Sequence, residues 1–324
     1  MILLCTTFCL RALLAANYDW DTGAGMVMVN KRAVMKTAIT GRPAQWTSRF
    51  ASITLNQYGR EFPTGGMNEA GLAIALMALR DTQYPAADER SSVTILEWIQ
   101  YQLDNSATID DVIERSSNVR IAGTFGLHYL VADRTGRAAT IEFIDGNLVA
   151  HKDGTLPVPV LANDTYDHSL AYYKGLHSVP SGIGSMERFA RAAAMIGQTP
   201  ASANAVSRAF EILDAVHQPD YTKWSVVYDP ATLTIHIRTD RNREIRTISF
   251  GSFDGACESP VRIAPIDGGT FVDYTQAANI ALVNTAYDET PMLAGASEAD
   301  RRETYLHPDS DICFQPQRSR AIRK

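Results

Sequence analysis

The chain has 324 residues, 45% of them hydrophobic and 20% charged, which is enough to bury a large core and is ordinary for a soluble globular protein. Thirty basic against 36 acidic residues leave a formal charge of -6, which argues against a nucleic-acid groove. The four cysteines, Cys5, Cys9, Cys257 and Cys313, are too few and too scattered for a disulfide framework, and no C-x-x-C pair points to zinc.

The first segment, Met1-Ile-Leu-Leu-Cys-Thr-Thr-Phe-Cys-Leu, is apolar, and Ala12-Leu-Leu-Ala-Ala follows it. One reading is a short leader cut near Ala16, with a chain starting at Asn17. Against it, no charge precedes the apolar run and Arg11 interrupts it. A second reading makes Cys5 functional. If residues 1–4 are removed, an α-amine of pKa near ~8 sits beside a thiol near ~8.5, a base and a nucleophile in one residue. Elsewhere the longest apolar stretch, residues 72–79, falls far short of the roughly 20 residues of a spanning helix, so no membrane span is expected.

Strand-like runs rich in β-branched and aromatic residues follow at 26–30, 50–56, 72–79, 128–132 and 139–144, several ending in turn signals such as Asp133-Arg-Thr-Gly136 and Asp145-Gly-Asn147. Two amphipathic stretches interrupt them. Residues 92–104 place Ile95, Trp98, Ile99 and Leu103 on one face, and 108–116 opens with a Thr108-x-x-Asp111 cap. An alanine-rich helix is expected over 188–196, then another with Thr199 as N-cap, Pro200 at N1, and Val206, Ala209, Phe210, Leu213 and Val216 inward. Strands return at 224–228, 233–238 and 243–250. Strands, helices, strands, helices and strands in that order predict an α+β domain of layered antiparallel sheets, not βαβ units. No linker or repeat divides the chain, so a single domain is expected over residues 1–324. Residues from about 275 to 324 read as an extended wrap or tail, ending in a basic cluster at Arg318, Arg320, Arg323 and Lys324.

There is no H-E-x-x-H and no Walker loop, Gly23-Ala-Gly25 lacks the third glycine of a dinucleotide site, and the seven histidines show no ligand spacing. No metal or other cofactor is expected. What stands out is an ordered set of segments. Cys5-Thr-Thr-Phe8, Asn17-Tyr-Asp-Trp20, Gly66-Met-Asn-Glu-Ala-Gly-Leu72, Val160-Leu-Ala-Asn163, Glu187-Arg-Phe-Ala-Arg191 and Trp224-Ser-Val-Val-Tyr-Asp229 with Ile237-Arg-Thr239 run in order from residue 5 to about residue 250. Together they resemble the linear amide C–N hydrolases, the family of choloylglycine (bile-salt) hydrolases and penicillin V acylases.

The resemblance implies a four-layer αββα sandwich of the N-terminal-nucleophile type and a small-molecule amide as substrate. Cys5, once N-terminal, would attack the amide carbonyl and form a thioester. Asp19 would orient its α-amine, and Arg188 would favour the thiolate. Asn163 would donate its side-chain amide to the oxyanion, beside a backbone N–H that maps onto Ala78. Trp20, Met26 and Met28 are candidate walls of the acyl pocket, or core. Taken singly, Asp19 also reads as a strand-end turn residue, Asn163-Asp-Thr165 as a glycosylation sequon or turn, and Arg188 with Arg191 as a solvated helix face.

Two departures from the family pattern fall close to Cys5. Ala16 stands where an arginine is usual, and the step from Cys5 to Asn17 is short, where a change of register would flip a strand's side chains. They leave open a hydrolase-like protein that has lost catalysis and binds acylated small molecules. A homo-oligomer is compatible with the sequence. The compartment is periplasmic or extracellular if residues 1–4 end a longer leader, and cytoplasmic otherwise.

Overall fold

The computed structural model describes residues 5–314; the basic cluster at 318–324 and the segment 1–4 lie outside the described residues. The chain opens with a hairpin. Strands β1 (Thr6–Leu10) and β2 (Leu13–Asp19) pair antiparallel, with Thr6 opposite Asn17 and Leu10 opposite Leu13. The short step read from the sequence is therefore a two-residue turn, Arg11-Ala12, in which Arg11 adopts a left-handed φ of 58°. Its guanidinium donates to the carbonyls of Pro200, Ala201 and Ala203. Arg11 thus sits at the far end of the hairpin and brings no charge to Cys5.

Two antiparallel sheets face each other. The first has six strands in the order Val160–Leu161, β1, β2, Thr222–Asp229, Thr234–Thr239 and Arg246–Ser249. The second has nine, running from Asn147–Lys152 through Ala138–Ile144, Leu127–Ala132, Ala73–Ala78, Pro63–Asn68, Ser52–Asn56, Met26–Asn30 and Arg262–Pro265 to Val272–Asp273. Helices α1 (Glu97–Asn105) and α2 (Ile109–Asn118) cover the outer face of the nine-stranded sheet. Helices α3 (Tyr166–Lys174), α4 (Ser185–Gly197) and α5 (Ala205–Ala215) lie outside the six-stranded one. The result is the expected α+β, αββα sandwich.

Period-2 alternation along each strand supplies the core. Ala16, Val226 and Tyr228 of one sheet meet Leu55, Gly65 and Ala75 of the other. Adjacent glycines let both neighbouring layers approach the same strand. A Cβ on Gly65 would stand 3.0 Å from the Tyr228 hydroxyl, and one on Gly66 would stand 3.0 Å from Leu103 of α1. Ala16 is buried in this interior.

Several segments differ from the sequence-based expectation. Residues Ser92–Val93 form a short strand before α1, because Ser92 pairs with Arg120 in a small parallel ladder. Thr199 does not cap a helix: its hydroxyl donates back to Met195 O at the end of α4, and Asn204 caps α5 by accepting from Ser207 N–H. The segment after 275 is no simple tail. It folds into α6 (Gln276–Glu289) and α7 (Glu298–Leu306), capped by Thr275 and Ser297. Cys257 and Cys313 are joined in a disulfide, which sequence spacing gave no reason to expect. The bond ties the strand that follows α7 to the loop before Arg262–Pro265.

That disulfide closes a loop with a sequence separation of 56 residues, for which chain-entropy arguments give a contribution of about 4 kcal/mol. Cys313→Ser is expected to lower the urea midpoint of unfolding under oxidising conditions, while thiol reductant moves the wild type to the same midpoint and leaves the variant unchanged.

Candidate active site

Cys5 lies one residue ahead of β1 and is wholly buried. The hairpin register places Thr6 on the helix-facing side with Asn17, so alternation turns Cys5 towards the sheet interface, the side of Tyr18. Its Sγ accepts the Asp19 backbone N–H at 3.5 Å. Its carbonyl accepts from Arg188 Nη1 at 2.9 Å.

Arg188, from the buried face of α4, holds several elements at once. Nη1 also donates to Thr6 Oγ1 at 2.6 Å, Nε to Ile183 O at 3.0 Å, and Nη2 to Asn163 Oδ1 at 2.8 Å. Asn163 sits just after the strand Val160–Leu161, and its Nδ2 donates to Ala78 O at 2.9 Å. Ala78 therefore meets Asn163 through its carbonyl; the N–H expected at an oxyanion site is not part of that contact. The structure brings Cys5, Asp19, Asn163, Arg188 and Ala78 together, though they span residues 5 to 188 of the chain.

Asp19 is tied from the opposite side. Thr222 Oγ1 donates to Oδ1 at 2.5 Å and Gln218 Nε2 to Oδ2 at 2.6 Å. Thr222 reaches it because pairing with β2 shifts register between Thr222 and Trp224, and such a bulge re-aims a side chain. Sequence reasoning missed both partners. Neither carries a motif: the bulge brings Thr222 to Asp19, and the turn from Gln218 to Thr222, closed by the Thr222 N–H on Gln218 O, brings Gln218.

Electrostatics set the resting state of the site. Burial pushes the Cys5 thiol well above its ordinary value and the Asp19 carboxylate adds to that; the Asp19 N–H and Arg188 oppose it without winning. The Arg188 charge acts towards the thiolate but is outweighed by burial and Asp19. Burial also raises Asp19 to about 6, against the opposing effects of Thr222, Arg188, Gln218 and Lys223. Cys9, the other free cysteine, faces no such partners; burial, helped by Asp133, raises it to about 12.

Beside this cluster opens a cavity of about 320 Å³ that begins at Tyr18 and Trp20, the residues flanking Asp19. Tyr58, Phe62, Leu76, Phe125, Leu127, Tyr287, Met292 and Leu293 contribute to its walls, and among the described residues threonines are its other polar residues and no charged side chain lines it. Trp20 is thus a wall residue, with Nε1 donating to Tyr58 Oη at 2.5 Å. Met26 and Met28 are not. They lie in a separate apolar cluster with Ile263 and Leu282 of α6, because their neighbours Val27 and Val29 take the inward positions of that strand. Among the described residues, no group of three or more His, Cys, Asp or Glu side chains could hold a metal ion, and no helix is long and apolar enough to cross a membrane.

Facing antiparallel sheets between helical layers, with a buried cysteine at the head of the first strand, define the N-terminal-nucleophile hydrolase fold. Residues 3–180, more than half of the chain, match the linear amide C–N hydrolases, choloylglycine hydrolase family, and the chain belongs to that family. Over 206 residues it is 29% identical to a penicillin V acylase of Pectobacterium atrosepticum, covering 55% of this chain and 54% of that protein. The chain therefore spans about half the length of this curated relative. A penicillin V acylase structure from Agrobacterium tumefaciens superposes with a TM-score of 0.74 at 25% identity, over 83% of this chain and 98% of that one. A mutant conjugated bile acid hydrolase from Clostridium perfringens shares the fold, with a TM-score of 0.67 at 18% identity over 84% and 96% of the two chains.

Asp19 carries a pH signature. Its folded value of about 6 lies above the unfolded ~3.9, so the native state holds the extra proton between them. The Asp19 contribution to stability is full below about pH 4 and is lost as pH rises through 6, about 3 kcal/mol in all. In Asp19→Asn the fall in urea midpoint between pH 4 and 7 is expected to become shallower by that contribution, while the raised Asp104 and Asp311 carboxyls keep the rest of the slope.

Proposed function

We propose that this chain hydrolyses the linear amide bond of an N-acyl compound with an uncharged, apolar acyl group, using Cys5 as an N-terminal nucleophile. The observation that carries the reading is the placement of Cys5 Sγ against the Asp19 N–H, beside an uncharged cavity. The penicillin V acylases similar to this chain support the same class of reaction.

Removal of residues 1–4 gives Cys5 a free α-amine next to its thiol. The amine takes the thiol proton as sulfur attacks the acyl carbon, and the carbonyl oxygen becomes an oxyanion facing the Asn163 amide. Collapse breaks the C–N bond, and the α-ammonium returns the proton to the leaving amine. Water then attacks the thioester with the α-amine as base, releasing a carboxylic acid and the thiol. Asp19 holds the α-ammonium by charge; Arg188 holds the Cys5 carbonyl and keeps Asn163 aimed. The acyl group lies between Trp20, Phe125 and Leu127. The Cys257–Cys313 bond favours an oxidising compartment, the periplasm or the cell exterior.

The test pairs protein chemistry with turnover. N-terminal sequencing of active protein is expected to start at Cys5, and Cys5→Ala to lower kcat by at least ~10³-fold. Penicillin V, glycine-conjugated bile salts and acyl-homoserine lactones serve as substrates. An active enzyme that retains Met1 would sink the reading. Binding of one of these compounds with no turnover by either protein would mark a binding protein.

A further inference from the structure

His128 and Glu142 belong to no motif, yet both are buried and in contact with each other. His128 Nε2 lies 2.7 Å from Ala162 O, and Nδ1 lies 3.0 Å from Glu142 Oε1. A carbonyl can only accept, so Nε2 carries a proton and donates it. The Glu142 carboxylate also accepts the Tyr166 N–H, at 3.1 and 3.2 Å from its two oxygens. One His–Glu pair therefore fastens both ends of the turn from Ala162 to Tyr166.

Ser185 completes the arrangement. Its Oγ accepts the Asn163 N–H at 2.8 Å. The Ala162 C=O and the Asn163 N–H belong to one peptide plane, so that plane is clamped from opposite edges, by His128 and by Ser185. Fixing it fixes the direction in which the Asn163 side chain leaves the backbone. We propose that His128, Glu142 and Ser185 are positioning residues that set the Asn163 amide for the oxyanion. The proposal deepens the reading above and rests on the oxyanion role of Asn163. Displacement of such a donor by about 1 Å can cost up to ~10²-fold in rate, which makes a rigid mount worth a buried polar pair.

The experiment is a double-mutant cycle on the processed enzyme, using whichever of penicillin V, a glycine-conjugated bile salt or an acyl-homoserine lactone is turned over fastest. Asn163→Ala is expected to lower kcat by about 10²-fold or more. Ser185→Ala, half-buried at the start of α4, and His128→Leu are each expected to lower kcat by about tenfold with KM within about twofold. His128→Gln, which keeps an N–H able to reach Ala162 O, restores most of the His128→Leu loss. In the Asn163→Ala background, Ser185→Ala and His128→Leu have no further effect on kcat, because the group that they aim is gone.

Equal losses in both backgrounds would show a merely structural role and overturn the proposal. So would unchanged kcat in Ser185→Ala together with a full Asn163→Ala loss, should His128→Leu fail to fold. Unchanged kcat in Asn163→Ala overturns the oxyanion assignment itself and the proposal with it.

Discussion

Arg188 is fully buried, and its guanidinium donates to the Cys5 carbonyl, the Thr6 hydroxyl, the Ile183 carbonyl and the Asn163 side chain. Removing a cation from water costs several kcal/mol unless its donors are met, and here each of Nε, Nη1 and Nη2 has an acceptor. The planar fork makes those acceptors mutually dependent. The head of β1, the loop into α4 and the turn after Val160–Leu161 can occupy their places only together. A lysine could not reproduce this, having one ammonium for three directions.

The same charge lies close to Cys5 and Asp19, yet it brings neither group's pKa down to its ordinary value. Burial outweighs Arg188 at both groups, leaving the thiol neutral and Asp19 near 6. In the proposed mechanism, the missing positive charge is the α-ammonium that processing creates on Cys5 itself. Such a site is chemically quiet while Cys5 lies within the chain and becomes polarised when the amine is released. Cys9 shows the contrast: it is buried too, in β1 itself, but the charge acting on its thiol is the Asp133 carboxylate, with no guanidinium to oppose burial.

Local signals carried the fold a long way. The strand-like runs at 26–30, 72–79 and 139–144 became strands close to their expected bounds, and the Thr108 capping box starts α2. Cys5, Asp19, Asn163 and Arg188 were readable because each sits in a motif of the family. What failed was decided by partners far along the chain. Thr222 reaches Asp19 through a strand bulge and Gln218 through the turn that leads into that strand, and Cys257 meets Cys313 through the folding of α6 and α7. On α1 the apolar face was legible, but the opposite face is buried too, where Asp104 pairs with Lys36 and accepts from Trp46. Met26 and Met28 suit a pocket wall in composition, while strand alternation turns them to α6.

The division of labour along the chain limits what family membership says about substrate. Cys5, Asp19, Ala78 and Asn163 lie within the matched residues 3–180, and Arg188 lies just beyond them. Tyr287, Met292, Leu293 and Thr304 of the cavity wall come from α6, α7 and their connection, well outside that match. This wall is anchored separately from the chemistry. Asn279 of α6 accepts the Arg60 N–H and donates to Tyr305 O, Arg60 pairs with Asp311, and the disulfide holds the strand that follows α7. Changes in α6 and α7 can therefore reshape this cavity without touching the Arg188 tie. The shape of the cavity and the Cys5–Arg188–Asn163 cluster are separable features of this fold, and only the second rests on the segments that resemble the family.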